Sequence, residues 1–153
     1  MMNLEDMFGR RSRPLLQLHV QLWQRPPDDP HEELHIFFLN EGRAVARFTR
    51  MLARVLDPST VIAGGSGIAD VSAIKDGAPC FMYIDNVGVI HPNGITSDVG
   101  HAIIRRDTKG APLKLHARWY CDGMRARNAD LDLVPGVLRW NRGQVAATPR
   151  WAP

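Results

Sequence analysis

Histidine is the residue type in this sequence best suited to catalysis or metal binding, because its imidazole ring titrates near neutral pH. None of the six histidines belongs to a His-Glu-x-x-His motif or stands beside a Cys-x-x-Cys pair, so the spacing typical of zinc sites is missing. Three lie on the predicted outer faces of strands, where neighbouring strands could bring two together, although solvated surface histidines are the ordinary interpretation. The sequence predicts no metal and no cofactor. The histidines are His19, His31, His35, His91, His101 and His116, and the three on outer faces are His19, His35 and His116.

Cys121 is a second candidate for chemistry, as a nucleophile with His101 or His116 as its base and Asp122 next to it in the chain. A nucleophile and its base must lie within hydrogen-bond reach of each other. Cys121, however, falls on the apolar phase of its strand, together with Trp119, and this position predicts a buried and inert thiol.

GGSGIAD, residues 64 to 70, invites interpretation as a phosphate-binding loop, since glycines can bring backbone N–H groups to an anion at a helix N-terminus. The spacing is not that of a dinucleotide-binding motif, and no Gly-Lys-Ser/Thr follows. No strand–helix–strand unit surrounds the segment, so we expect a flexible loop.

Asp130 and Asp132 are spaced two residues apart and therefore share one face of a strand. Paired carboxylates could act on a sugar or hold a metal ion. The simpler interpretation is a solvated outer face that flanks the apolar Leu131 and Leu133. No constellation in the sequence supports a catalytic function, and we expect that the protein is not an enzyme.

The C-terminal segment, VLRWNRGQVAATPRWAP, interleaves arginine with tryptophan. This combination is typical of single-stranded nucleic-acid stacking and of protein interaction hot spots. The alternative is that Leu138 and Trp140 pack onto the folded body while the end of the chain is disordered. The predicted binding residues are Arg139, Trp140, Arg142, Arg150 and Trp151.

The distribution of charge restricts the possible partners. The net charge is +3, and three arginines that follow Asp132 supply the whole excess. A nucleic-acid-binding body normally shows a basic face or stripe, whereas here only the C-terminal segment is basic. The N-terminus has no signal-peptide h-region, and no apolar run reaches the length of a membrane helix. With only Cys80 and Cys121 as cysteines, both predicted to be free thiols, we expect a cytoplasmic protein.

The segments that must position these residues alternate apolar and polar side chains, which is the period of a half-buried strand. The alternation predicts strands over 15–23, 34–40, 43–48, 100–107, 113–121 and 130–134. Residues 81–92 predict two strands separated by a turn or bulge at Asp85-Asn86, and residues 91–94 predict a turn. In 113–121, the side chains at 113, 115, 117, 119 and 121 should face inward. Asn40-Glu41-Gly42 predicts a type II turn with Gly42 at a positive φ angle. Residues 50–57 fit either an extended strand or a helical turn, and residues 58–79 predict a long loop with one or two short strands.

These elements predict an all-β fold, an antiparallel β-sandwich of about seven or eight strands with an immunoglobulin-like arrangement. A parallel α/β fold would require crossover helices, and none is visible. We expect a linker or short helix over 1–14, with the helix at 3–9, the β-sandwich over 15–136 and a basic, aromatic tail over 137–153.

Four stretches together resemble a known family: "DMFGRRSRPLLQLHVQLW", "LNEGRAVARF", "VIHPNG" and "LKLHARWYCDGMRARNADLDL". They are similar to the immunoglobulin-like C-terminal accessory domain of bacterial proteins that carry an N-terminal Schlafen-like (AlbA-type) DNA-binding domain. The resemblance implies a β-sandwich that accompanies another domain, with residues 3–13 corresponding to the linker. It supplies no catalytic residues, and the DNA binding of the absent domain does not carry over.

The leading functional hypothesis is a non-catalytic accessory or protein-interaction module, whose partner is another protein or a missing N-terminal domain. The alternative is a nucleic-acid-associated protein that uses its basic ends. An enzyme of unknown type is the third and disfavoured hypothesis.

Overall fold

Two β-sheets make up the fold. The structure, a computed structural model, describes residues 12–72, 80–85, 87–94, 99–137 and 150–151. Within these ranges the chain forms eleven strands and no α-helix: β1 (Leu16–Gln24), β2 (His31–Asn40), β3 (Arg50–Val55), β4 (Val61–Ser66), β5 (Ala69–Asp70), β6 (Phe81–Asp85), β7 (Gly100–Arg105), β8 (Leu113–Tyr120), β9 (Arg127–Leu133), β10 (Gly136–Val137) and β11 (Arg150–Trp151). Eight of these strands have five or more residues, in agreement with the predicted number, and the other three have two.

The first sheet has the order β10-β1-β2-β7-β4, and the second has the order β11-β9-β8-β3-β6-β5. All neighbours pair antiparallel except β1 and β10. The two sheets pack face to face, which is the predicted β-sandwich. Among the described residues no helix has the length and apolar character of a membrane span.

Side-chain alternation determines which face of each strand is buried. In β8, Leu113, Leu115, Ala117 and Trp119 are buried, and the residues between them are half-buried or exposed, as predicted. The inward residues of both sheets form one hydrophobic core. The indole N–H of Trp119 donates a hydrogen bond to the carbonyl oxygen of Leu16 at 2.9 Å and so joins the two sheets.

Three further segments adopt definite conformations. Residues 50–55 form the extended strand β3 and not a helical turn. The long segment after Pro58 contains two short strands, β4 and β5, as predicted. The predicted turn at 91–94 forms, with the N–H of Gly94 donating to the carbonyl oxygen of His91 at 3.0 Å.

The predicted strand over 43–48 does not form, and neither does the second of the two strands predicted within 81–92, since residues 87–92 contribute only an isolated bridge at Ile90. Ala46 makes an isolated bridge to Ile90, and Phe48 is 52% exposed with a positive φ angle of 54°. Pairing stops here because the chain must cross from the first sheet, at the end of β2, to the second sheet, at the start of β3. Residues 44, 46 and 48 therefore have the side-chain alternation of a strand although they lie in a connection between the two sheets.

The predicted type II turn at Asn40-Glu41-Gly42 is also wrong, because Gly42 does not have a positive φ angle. Glycine is required at position 42 because the neighbouring backbone leaves no room for a side chain. A Cβ atom on Gly42 would lie 2.2 Å from the carbonyl oxygen of Arg13 and 2.5 Å from the amide nitrogen of Leu15. The backbone before β1 thus runs directly against the turn that follows β2.

The predicted helix over 3–9 lies outside the described residues. The predicted domain boundaries at 14 and 136 stay predictions.

Candidate functional site: an arginine-lined pocket

One end of the sandwich carries a concave site of about 470 Å³. Three segments surround it: the residues that lead into β1, the turn after β2 and the turn between β8 and β9. We call it the arginine pocket. Its lining residues are Arg13, Pro14, Leu15, Glu41, Gly42, Arg43, Gly123, Met124, Arg125 and Arg127. A volume of this size is in the range of sites that hold small molecules or short peptide segments.

The side chain of Asn40, which is fully buried, organises the backbone of this site. Its Oδ1 atom accepts hydrogen bonds from the N–H groups of Leu15 at 3.1 Å and Gly42 at 3.0 Å. Its Nδ2 atom donates to the carbonyl oxygens of Ala44 at 2.8 Å and Ile90 at 3.1 Å. Because all four hydrogen-bonding positions of the amide are used, Asn40 fixes the turn and the segment before β1 relative to each other.

Backbone hydrogen bonds continue from the β1–β2 pair into the pocket. The N–H of Glu41 donates to the carbonyl oxygen of Leu15 at 2.8 Å, and the N–H of Arg43 donates to that of Arg13 at 3.2 Å. Arg13 and Arg43 therefore project from two directly bonded chains. The pocket rim is part of the sheet framework, although both segments lie outside the named strands.

Pro14 forms the floor of the pocket between two glycines. Gly42 leaves no room for a Cβ atom on one side, and on the other side Gly123, with a φ angle of +80°, would place a Cβ atom 3.4 Å from Cδ of Pro14. The neighbouring Met124 accepts a hydrogen bond on its sulfur atom from the N–H of Leu16 at 3.3 Å. The floor is thus apolar. The turn that contains Gly42 and the turn that contains Gly123 pack against it from opposite sides.

The rim carries four guanidinium groups and one carboxylate, which gives a formal charge of +3 (4 − 1). Arg13, Arg43 and Arg125 are exposed and Arg127 is half-buried. The carboxylate, Glu41, accepts a hydrogen bond from the side chain of Gln17 at 3.2 Å. Within the described residues, ion pairs are formed by Arg25, Arg50 and Arg106, and none by the four pocket arginines.

Arg127 holds a fixed place at the edge of this rim. Its guanidinium carbon lies 5.9 Å from the ring centroid of Trp119, within the range of a cation–π contact. Arg127 and Glu41 also line a second, more polar concavity of about 410 Å³, together with Gln17, His19, Trp119, Asn128 and Ala129. Arg127 therefore stands between two depressions and presents charge to both.

The chemistry of this arrangement is the binding of anions. Arginine presents donors in a fork that matches a carboxylate or a phosphate group. Like charges gathered without counter-ions repel one another, and an anionic ligand would relieve that repulsion. The apolar floor adds a surface for a side chain that accompanies the anion.

The structure brings two of the predicted histidines together at a different place. His35 and His101 are register partners on β2 and β7, with ring centroids 5.6 Å apart. His35 was expected to be solvated, but it is buried, because Trp23 stacks on it at 3.7 Å. Nδ1 of His101 lies 3.1 Å from Oγ of Ser66. This row lies flat on the outer face of the first sheet.

The other histidines are dispersed. His116 lies 2.7 Å from Asp130 on the outer face of the second sheet. Nδ1 of His31 lies 2.8 Å from Oδ1 of Asp29, and hydrogen bonds from the backbone and then the ring of His31 lower the pKa of that carboxyl. Across the part of the chain that the structure describes, no three histidine, cysteine, aspartate or glutamate side chains are grouped to hold a metal.

Cys121 is buried in the core, as predicted, and burial raises the pKa of its thiol to about 11. Cys80 is also buried and free, and burial raises the pKa of its thiol to about 12. Neither thiol has the low pKa of a reactive cysteine.

GGSGIAD is not the flexible loop that was expected, because it contributes to β4 and β5. β4 pairs with β7, with a register irregularity between Ile62 and Gly64. Gly65 and Gly67 allow the backbone to approach β7 closely, since Cβ atoms there would lie 2.2 Å from the carbonyl oxygen of His101 and 2.5 Å from that of Val99. These glycines serve sheet packing and do not form a phosphate loop.

Three of the predicted tail residues, Arg139, Trp140 and Arg142, lie outside the described residues. The backbones of Arg150 and Trp151 form β11, which pairs with β9 opposite Asp132 and Leu131. The role of these five residues in binding stays a prediction. Asp130 is exposed and Asp132 half-buried, each opposite a β8 residue, His116 and Lys114 respectively.

Sequence reasoning missed the arginine pocket, because its four arginines come from three separate segments of the chain and residues 1 to 132 carry no net charge in total. A signal was present in two places: "NEGR" places an arginine directly after a turn glycine, and "DGMRAR" places Arg125 and Arg127 shortly after another. Turns at the same end of a β-sandwich lie close together in space, but the sequence does not show which turns lie at the same end.

No model of a known protein family matches the chain, and no curated protein is significantly similar to it. Solved structures do resemble it. One of them is the cohesin module from a family 33 glycoside hydrolase of Clostridium perfringens ATCC13124, with a TM-score of 0.50 and 6% sequence identity. The match covers 83% of this chain and 99% of that chain. At this identity the likeness shows a shared β-sandwich fold.

Proposed function

We propose that this protein is a non-catalytic β-sandwich accessory module that binds an acidic segment of another polypeptide in the arginine pocket. The observation that carries the proposal is a rim of four arginines without ion-pair partners in the described residues, on a backbone fixed by Asn40. An arginine with only a structural role would be expected to resemble Arg106, which is buried and paired with Glu32. The pocket arginines are instead exposed or half-buried and available to a ligand.

A short acidic segment fits the charge distribution better than a long polyanion does. Residues 1 to 132 contain 16 basic and 16 acidic side chains, so positive charge gathered at one end leaves acidic side chains elsewhere on the body. A nucleic-acid backbone needs an extended basic stripe to neutralise successive phosphates. A peptide carboxylate needs one cluster of guanidinium groups and gains from the apolar floor at Pro14 and Met124.

Two likenesses support the role of an accessory module. The sequence resembles the accessory domain that follows a Schlafen-like (AlbA-type) domain, and the solved structure of similar fold is named as a module of a larger enzyme. We extend the proposal to an immunoglobulin-like variant of the sandwich and to a cytoplasmic protein whose binding partner is an attached or separate domain. The basic, aromatic tail is a second contact in this proposal.

Fluorescence anisotropy with a fluorescein-labelled hexaglutamate peptide tests the proposal. Wild-type protein should bind the peptide, and the double variant R43E/R125E should bind at least about tenfold more weakly, a loss of ~1.4 kcal/mol. The matched control is R54E/R105E, which reverses two exposed arginines away from the pocket and leaves the net charge equal. The control should change the dissociation constant by less than about twofold, a margin below ~0.5 kcal/mol.

The same titration with a labelled oligothymidylate separates the nucleic-acid alternative. If the oligonucleotide binds with a steep salt dependence and the peptide does not bind, the partner is a nucleic acid and the proposal is wrong. Equal losses in the pocket and control variants would show nonspecific charge attraction and would also contradict it.

A further inference from the structure

A second concave surface of about 450 Å³ adjoins the arginine pocket. Its lining residues are Met51, Leu52, Tyr83, Arg118, Tyr120, Met124 and Ala126. Met124 lines both sites, so the two are continuous across one methionine side chain. We call this second site the tyrosine face.

The pairing of three strands assembles the tyrosine face. On the outer face of the second sheet, Leu52 of β3 is the register partner of Tyr83 in β6 and of Arg118 in β8. Two residues away on the same face of β3, Arg50 is the register partner of Tyr120 in β8. Side chains in directly paired positions lie next to one another on the sheet. The concave surface thus lies between two phenol rings and a guanidinium group.

The phenol rings are held in place. Arg50 donates from Nε to Oδ1 of Asp85 at 3.0 Å, and a hydrogen bond with Tyr120 followed by one with Asp85 raises the pKa of Arg50. The charged guanidinium therefore orients Tyr120, which is 38% exposed. Tyr83 is half-buried, and partial burial raises the pKa of its hydroxyl. Both rings offer apolar surface.

Arg118 adds a positive charge to this apolar face. It is exposed and, within the described ranges, forms no ion pair. Guanidinium groups stack on aromatic rings, and tyrosine and arginine are enriched at interaction hot spots. Methionine, at the junction with the arginine pocket, adapts its shape to different ligands.

We infer that the segment bound in the arginine pocket continues over Met124 onto the tyrosine face, and that it carries an aromatic side chain beside its acidic residues. This inference rests on the proposed function. The partner is then a polypeptide segment with a carboxylate cluster and a neighbouring tryptophan, tyrosine or phenylalanine. The acidic part binds the four arginines, and the aromatic ring binds between Leu52, Tyr83 and Tyr120 with Arg118 at its edge.

The test compares two labelled peptides, hexaglutamate and the same peptide extended by one tryptophan with a two-glycine spacer. Wild-type protein should bind the tryptophan peptide about fivefold to tenfold more tightly, in the range of one aromatic hot-spot contact. Y83S should abolish that gain and leave hexaglutamate binding within about twofold, since the arginine pocket is intact. F37S, which removes a half-buried aromatic from the outer face of the other sheet, is the matched control and should keep the gain.

Tyr120→Ser gives the same readout at a more exposed position and serves if Y83S does not fold. Equal affinity of wild-type protein for the two peptides, with hexaglutamate bound, would overturn this inference and leave the proposed function standing. A gain that persists in both Y83S and Y120S would also overturn it. If neither peptide binds, the proposed function and the inference both fail.

Discussion

At the scale of single residues, the arginines of this protein fall into two classes with different physical roles. Arg106 is buried and makes two hydrogen bonds to Glu32, from Nε at 2.6 Å and from Nη2 at 3.1 Å. It also donates to the hydroxyl of Thr108 and the carbonyl oxygen of Ala111, so it joins β2 to the turn after β7. Among the residues that the structure describes, the pocket arginines form no ion pair; three of them are exposed, and Arg127 is half-buried against the Trp119 ring. The first class stabilises the fold, and the second is available for binding.

Removal of the carboxylate from the buried pair should be costly. E32A removes the closer counter-ion of the buried Arg106 guanidinium and leaves only Asp57, whose Oδ2 lies 3.9 Å from Nη1. We expect a loss of about 3 kcal/mol in the free energy of unfolding. Urea denaturation followed by circular dichroism measures it. The matched control is D85A, which removes the partner of Arg50 in an exposed ion pair and should cost less than about 1 kcal/mol. Similar losses in the two variants would contradict the distinction.

At the scale of elements, the turn after β2 shows how a polar side chain and a glycine together fix a connection. Asn40 supplies four hydrogen bonds, and Gly42 permits the contact with the segment before β1. The expected type II turn would have made Gly42 necessary for its φ angle. The actual requirement is the close approach of Arg13 and Leu15, which are distant in sequence, and local turn rules contain no information about it.

A methyl group at position 42 should therefore disrupt this end of the sandwich. In G42A the Cβ atom meets backbone atoms that cannot rotate away, and we expect a destabilisation of about 1–3 kcal/mol. Thermal unfolding together with hexaglutamate binding should show both lower stability and weaker affinity. G64A is the control, because a Cβ atom at Gly64 has its nearest neighbour at 3.9 Å. A neutral effect of G42A on both measurements would show that the contact is not a constraint.

At the scale of the whole molecule, one core joins both sheets and encloses the two cysteines. Burial raises the thiol pKa of Cys80 to about 12 and of Cys121 to about 11, from an ordinary value of 9.0. The unfolded chain releases these protons at lower pH than the folded chain does. The contribution of each thiol to stability is thus complete below about pH 9 and is lost as the pH rises toward the folded value.

Alkaline conditions should accordingly weaken the fold through these thiols. We expect the free energy of unfolding to fall between pH 9 and pH 11 more steeply for wild-type protein than for the double variant C80A/C121A. Urea denaturation at several pH values measures both slopes, and the variant accounts for tyrosine and lysine titration. Parallel slopes would show that the thiols do not contribute.

Alkylation by iodoacetamide at pH 7.5 should be slow without denaturant, because the thiols are enclosed and protonated.

The sequence alone determined the secondary-structure class and the burial phase of the long strands. Leu113 to Trp119 alternate in burial because successive side chains of a strand point to opposite faces, a property that is local and independent of the partner strands. The alternation of residues 44 to 48 shows the limit of that rule, since the same pattern occurs in a connection between the sheets. Buried cysteines were also predictable, because Cys121 continues the apolar phase of β8.

Only the tertiary structure decided where the candidate site lies. Arg13, Arg43, Arg125 and Arg127 are brought together by the pairing of β1 with β2, of β8 with β9, and by the packing of one pair on the other. The burial of His35 likewise depends on Trp23 from the neighbouring strand. Strand order and sheet packing arise from contacts between residues far apart in the chain, so no local period or composition in this sequence could specify them.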